Sequence, residues 1–168
     1  MPRIGIALGT NLGRRLHNLQ SARDLLAAIA TTGQPLLQAP IYQTEPVNCP
    51  ADSPDFHNTV IEIAWEGSPF TLLDLTQAIE FKLGRTANPE RNAPRIIDVD
   101  LLYFGDETLD AGLLILPHPR ITQRRFVLQP LADIRPDLTL PGHRATIAEH
   151  LKHLDSTEPP LALVQENW

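Results

Sequence analysis

The chain has 168 residues, a net charge of −6 and 42% apolar residues. That length suits one domain with a core that needs no covalent staple, and the acidic balance disfavours broad nucleic-acid binding, which draws on excess Lys and Arg. One cysteine, Cys49, leaves no internal disulfide, no apolar stretch approaches the ~20 residues of a membrane span, and the N-terminus lacks a signal-peptide pattern; the expectation is a single cytoplasmic domain over residues 1–168, a monomer with no nucleic-acid or membrane partner.

Ile4, Ile6 and Leu8 alternate with Gly5 and Ala7 and predict a first strand. Gly9-Thr10-Asn11-Leu12-Gly13 reads as a turn. Leu16, Leu19, Leu26 and Ile29 recur at helical spacing, enough for a helix of about four turns. Residues 35–42 read as a second strand. Residues 43–55 are a long loop with Pro46, Pro50 and Pro54, and residues 56–65 a strand rich in Val and Ile. Ser68-Pro69 opens a helix as N-cap and first helical residue. Leu72, Leu75, Ile79 and Leu83 form its stripe, and Gly84 stops it.

Residues 85–94 form a polar loop, and residues 96–104 give the strongest strand signal in the chain. Residues 113–120 are irregular around Pro117 and Pro119, and residues 126–131 are short and apolar. Thr146 with Glu149 is a capping box for a last helix reaching about Leu154. The residues after Ser156 read as a loose or partly docked tail. The order β-α-β-β-α-β, with additions, predicts an α+β chain of ferredoxin-like arrangement, an antiparallel sheet covered by helices.

Asp98-Val99-Asp100 stands inside that strongest strand, although Asp is depleted in strands. Side chains alternate, so both carboxylates share a face at ~6.6 Å along the chain. Like charges so placed repel each other unless a cation lies between them. Mg²⁺ takes one or two carboxylates plus substrate phosphates, and two metals ~3.5–4 Å apart fit an i, i+2 pair. A solvated acidic pair matched by arginine is the other reading of these two residues alone.

Arg85, Arg91 and Arg95 precede the pair closely, and Arg120, Arg124 and Arg125 follow, with His118 nearby. Guanidinium forks match phosphate oxygens, and polyphosphate transfer needs both metals and such donors. No G-x-x-x-x-G-K-[ST] loop is present, so phosphates here depend on metals and arginines.

These segments together resemble the 6-hydroxymethyl-7,8-dihydropterin pyrophosphokinases, enzymes of folate synthesis. The resemblance runs from Ile6 to about Leu140. It rests on Ala7-Leu8-Gly9-Thr10-Asn11-Leu12-Gly13, Tyr42-Gln43-Thr44-Glu45-Pro46, Pro54-Asp55-Phe56-His57-Asn58 and Leu83-Gly84-Arg85. Its most specific runs are Pro94-Arg95-Ile96-Ile97-Asp98-Val99-Asp100 and Pro117-His118-Pro119-Arg120.

The resemblance implies a ferredoxin-like three-layer sandwich with helices on both faces of a mainly antiparallel sheet. It implies attack of the pterin hydroxyl on the β-phosphorus of ATP, with AMP leaving. Asp98 and Asp100 would bind two Mg²⁺ ions and, with Arg85 and Arg95, form the catalytic set. Arg85, Arg91, Arg95, Arg124 and His118 would hold the triphosphate, Gln77 and Glu80 would help seat the nucleotide, and Leu101 would line the adenine site. Thr44, Glu45 and Val47 would border the pterin, Asn58 would read its edge, and Phe56 and Phe126 would stack on it.

Four residues depart from the usual family pattern: Asn92-Ala93 where Trp-Gly is common, Asn48 where Gly is common, and Thr10 for Ser. They leave open a related pyrophosphokinase for a modified pterin or other alcohol, or a weakened binding homologue.

Overall fold

The computed structural model describes residues 1–45, 51–52, 54–84, 96–158 and 160–168. The elements run β1 (Arg3–Thr10), α1 (Arg15–Ile29), β2 (Leu37–Gln38), β3 (Ile41–Thr44), β4 (Phe56–Ala64), α2 (Pro69–Lys82) and β5 (Asp98–Phe104). They continue through β6 (Leu109–Asp110), β7 (Ile115–Leu116), α3 (Arg125–Ile134), α4 (Ile147–Lys152) and β8 (Ala162–Gln165). The main sheet has the order β5-β1-β4-β3-β8, with β2 also on β4, and β6 and β7 form a separate pair. Its pairings are antiparallel.

Alternation along the strands builds two cores. Ile4, Ile6, Leu8, Ile61, Ile63, Val99 and Leu101 face α1 and α2, meeting Leu19, Leu26, Leu72 and Ile79. Val60, Leu102 and Tyr103 face α3 and α4, meeting Val127, Leu128, Leu131 and Ile147. The result is the three-layer α+β sandwich the sequence predicts. No helix among the described residues is long and apolar enough to cross a membrane.

Local signals act as read at both predicted caps. Ser68 Oγ accepts from the backbone N–H of Phe70 and Thr71, and Thr146 Oγ1 accepts from Glu149 N–H. Gly84 follows α2 at φ +103°, a conformation that favours glycine.

Three readings change. Residues 35–42 are two strands, because Pro40 donates no ladder bond and the chain steps at Ala39-Pro40. Residues 126–131 belong to α3, with Pro130 inside the helix. The tail is docked: β8 pairs with β3, and the Trp168 indole N–H donates to Ala39 O at 2.7 Å.

Candidate active site

The site is built on the α3 face of the sheet, at the end of β1 that leads into α1. Val99 and Leu101 point into the α1/α2 core, so Asp98 and Asp100 point to the opposite face. In the register, Gly9 stands between Asp98 on one side and Asn58 on the other, and Asn58 pairs onward with Tyr42. Asp98, Gly9, Asn58 and Tyr42 thus form one row across four strands. Ala7 stands beside Asp100 in the same way, so β1 offers only small residues beneath the acidic pair.

Gly9 is the position the sequence reading placed in a turn and left without a role. It lies within β1, and a Cβ there would fall 2.9 Å from Asn58 Oδ1 and 3.9 Å from Phe56 Cδ1. Glycine in a strand marks a close approach, and that was the available signal. Gly9 is itself buried, and its missing Cβ lets the Asn58 amide and the Phe56 ring lie close against the β1 backbone, with Asp98 on the other side of the strand.

Asn58 is held in place. Its Nδ2 donates to Thr44 Oγ1 at 2.8 Å. Thr44 in turn pairs with Phe56 across β3 and β4. Phe56 is half-buried, as is Phe126 in the first turn of α3, and Glu45 is exposed just past the end of β3.

Arg124, the residue before α3, lies with its guanidinium 5.4 Å from the centroid of the Phe126 ring, a cation–π distance. Burial and then Arg120 hold its pKa below the ordinary arginine value, while Asp100 and Asp98 oppose that shift. The guanidinium stays protonated, and it stands in the field of both carboxylates.

His118 is fixed beside β5 by its backbone N–H, which donates to Leu102 O at 2.7 Å. Its Nδ1 accepts from Arg120 N–H at 3.1 Å, so the neutral ring carries its hydrogen on Nε2. Burial first, then Arg124 and Arg120, push its pKa below the ordinary histidine value.

On α2, Glu80 is 8% exposed and its Oε2 accepts from Val99 N–H at 3.1 Å. Val99 lies between the two aspartates, so Glu80 braces the strand that carries them on its side away from β1. Gln77 is exposed one turn earlier. The Leu101 side chain is 4% exposed and packs in the α1/α2 core. Its backbone groups alternate with those of Asp100 and, like the Val99 N–H, point away from β1. Val47, Asn48, Arg85, Arg91, Asn92-Ala93 and Arg95 lie outside the described residues.

The donor set fits Mg²⁺. Among the described residues no cluster of three or more His, Cys, Asp or Glu could hold a metal unaided. Two same-face carboxylates, Asp100 exposed and Asp98 half-buried, leave further positions to phosphate oxygens or water. That is the coordination Mg²⁺ commonly takes.

Fold and site together define a ferredoxin-like α+β sandwich that carries an acidic pair, an arginine and two half-buried phenylalanines toward one face of its sheet. The family model described as 7,8-dihydro-6-hydroxymethylpterin-pyrophosphokinase matches residues 5–136, and the chain belongs to that family. It is 40% identical over 142 residues to the 2-amino-4-hydroxy-6-hydroxymethyldihydropteridine pyrophosphokinase of Pseudomonas aeruginosa, covering 84% of this chain and 86% of the relative. It is 45% identical over 132 residues to the Bacillus subtilis protein of the same name, covering 77% and 75%. A Plasmodium falciparum HPPK-DHPS crystal structure with pteroate shares the fold at TM-score 0.68 and 16% identity; the match covers 90% of this chain and 43% of that one.

Proposed function

We propose that this chain transfers the pyrophosphoryl group of ATP to the hydroxyl of 6-hydroxymethyl-7,8-dihydropterin, giving the pterin diphosphate and AMP, a step of tetrahydrofolate synthesis. The observation that carries the reading is the row Asp98–Gly9–Asn58. Neighbouring strands lie ~4.8 Å apart, so Asn58 and Asp98 stand about 10 Å apart across Gly9, which places no side chain between them. That span suits a flat bicyclic ring whose polar edge meets Asn58 and whose hydroxymethyl group reaches toward the acidic pair.

Phe56 and Phe126 would cover the two faces of the ring, as aromatic side chains do for a flat heterocycle. Thr44, Glu45 and Val47 would border it. Arg124 and His118, joined by Arg85, Arg91 and Arg95, would bind the triphosphate. Gln77 and Glu80 would stand on the nucleotide side. Adenine would meet the free edge of β5 through the backbone of Leu101, since the side chain faces the core.

When bound between Asp98 and Asp100, two Mg²⁺ ions would neutralise phosphate charge and orient its oxygens. The protein's own part is placement. Asn58 and the aromatic pair hold the pterin hydroxyl in line with the β-phosphorus. That oxygen forms a new bond to Pβ, the bond from Pβ to the bridging oxygen of AMP breaks, and the hydroxyl proton is released. Arg124 stabilises negative charge on the transferring group, and His118 donates from Nε2 to a phosphate oxygen. Positioning and electrostatics of this kind carry most of phosphoryl transfer.

The test is product analysis by ³¹P NMR with ATP, Mg²⁺ and the hydroxymethyl pterin. AMP and a pterin diphosphate, formed only when pterin is present, are expected. ADP as the nucleotide product, or AMP formed equally without pterin, would overturn the proposal.

A further inference from the structure

The tail lies beyond the family match, which ends at residue 136, yet it reaches the proposed pterin site through β3. β3 is four residues long, and Thr44 is its last residue. On one side it pairs with β4, Tyr42 against Asn58 and Thr44 against Phe56. On the other it pairs with β8, Tyr42 against Leu163 and Gln43 against Ala162. Without β8, β3 would be a short outer strand of the kind that opens readily.

Trp168 fastens the other end of β3. Its indole N–H donates to Ala39 O at 2.7 Å, at the step between β2 and β3. Its backbone oxygen accepts from Gln38 Nε2 at 2.7 Å and from the Arg23 guanidinium, which also lies 5.0 Å from the indole centroid. The buried Ala39 is tied to β4 as well, through Val60 O and the Thr59 hydroxyl. Trp168 thus joins α1, β2 and the start of β3, while β8 lines the length of β3.

Thr44 Oγ1 accepts from Asn58 Nδ2 at 2.8 Å. That bond selects one orientation of the Asn58 amide. It leaves Oδ1 and the second N–H free to choose among ligand edges. We propose that β8 and Trp168 are positioning elements for pterin recognition: they hold β3 in register so that Thr44 keeps the Asn58 amide in a single orientation. The proposal rests on the reading of Asn58 as a pterin contact. It makes Trp168 a specificity-supporting residue that touches neither substrate.

The experiment is a double-mutant cycle on the full chain between Trp168→Ala and Thr44→Val, read as KM for pterin and for ATP. Each single change is expected to raise the pterin KM about fivefold, the cost of one lost hydrogen bond, with ATP KM and kcat within about twofold. The double variant should be hardly worse than either one alone, because both act through the same amide. Amide hydrogen exchange without substrate should quicken in residues 41–44 of Trp168→Ala and stay unchanged in β1 and β5.

Additive effects of the two changes, or parallel rises in pterin and ATP KM, would overturn the proposal. Trp168→Phe keeps the ring over Arg23 and removes only the bond to Ala39. It carries the same cycle if Trp168→Ala does not fold. Unchanged exchange in β3 of either variant also overturns the proposal. Wild-type protein that forms no pterin diphosphate would count against the functional reading, and exchange in β3 still reports on the clasp by itself.

Discussion

The α3 face of the sheet has two ends built on one plan and used in opposite ways. Each has a glycine in β1 flanked by an acid on a neighbouring strand. At the far end, Gly5 pairs with Glu62 and Tyr103, and the Tyr103 ring fills the space; a Cβ on Gly5 would lie 2.2 Å from it. Glu62 is fully buried there, bound by Arg3 Nε at 2.8 Å, by Arg135 at 2.6 Å and by the Tyr103 hydroxyl. Burial and then the Glu62 charge push the Tyr103 pKa well above the ordinary tyrosine value, so the hydroxyl stays a donor. At the near end, the space over Gly9 holds the Asn58 amide, with the Phe56 ring beside it. Asp98 and Asp100 lie toward the surface, with Arg124 in their field. Glu62 is enclosed by its protein partners, whereas the aspartate pair is presented toward solvent.

Substitutions at the two ends should therefore separate activity from stability. The largest effect is expected at the open end. Asp98→Asn should lower turnover on the order of 10³-fold or more, as loss of a charge clamp in transfer chemistry does, with little change in unfolding temperature. A near-normal rate of AMP formation would show that the pair holds no metal.

Glu62→Gln should do the reverse. Leaving two arginines without their buried partner should cost about 2–3 kcal/mol, read by denaturant unfolding, with kcat within about twofold. A large fall in kcat at unchanged stability would contradict the division.

A smaller effect is expected at His118. Its folded pKa lies below the unfolded value, so the neutral ring's contribution is present above the ordinary histidine range and is lost as pH falls through the folded value. The protein's stability should therefore fall as pH drops below about 6.5, and His118→Ala should lose that part of the dependence in unfolding experiments. The same change should raise the KM for ATP about tenfold at neutral pH, consistent with one hydrogen bond to a charged group. An unchanged KM would mean that the ring makes no contact with the triphosphate.

The open end was the more legible of the two in the sequence. Aspartates at i, i+2 in a strand announce themselves, and alternation gives their shared face without a structure. β1, α1, β4, α2 and β5 were also readable, because periodicity and caps such as Ser68-Pro69 are local. Contacts across the chain were not. Glu62 reads as one polar residue in an apolar strand, and its partners Arg3, Tyr103 and Arg135 come from three other segments. α3 hid because Pro130 stands inside it, a residue that ordinarily ends or breaks a helix. The tail hid because its order comes from β3 and Ala39, more than a hundred residues away. Glu80 and Leu101 were placed near the nucleotide by family resemblance, and the structure adds that Glu80 accepts from Val99 N–H and that the Leu101 side chain packs in the α1/α2 core.

The most direct test of the central claim, that the pterin is read by Asn58 beside Gly9, is a fluorescence titration of the hydroxymethyl pterin into wild type and Gly9→Ala. The added methyl meets Asn58 Oδ1 at 2.9 Å, the end of a side chain that can move, so the variant should fold. Its pterin affinity should be at least about tenfold weaker, since the displaced amide loses its hydrogen bonds to the ring edge. Equal affinity in a folded Gly9→Ala protein would contradict the account.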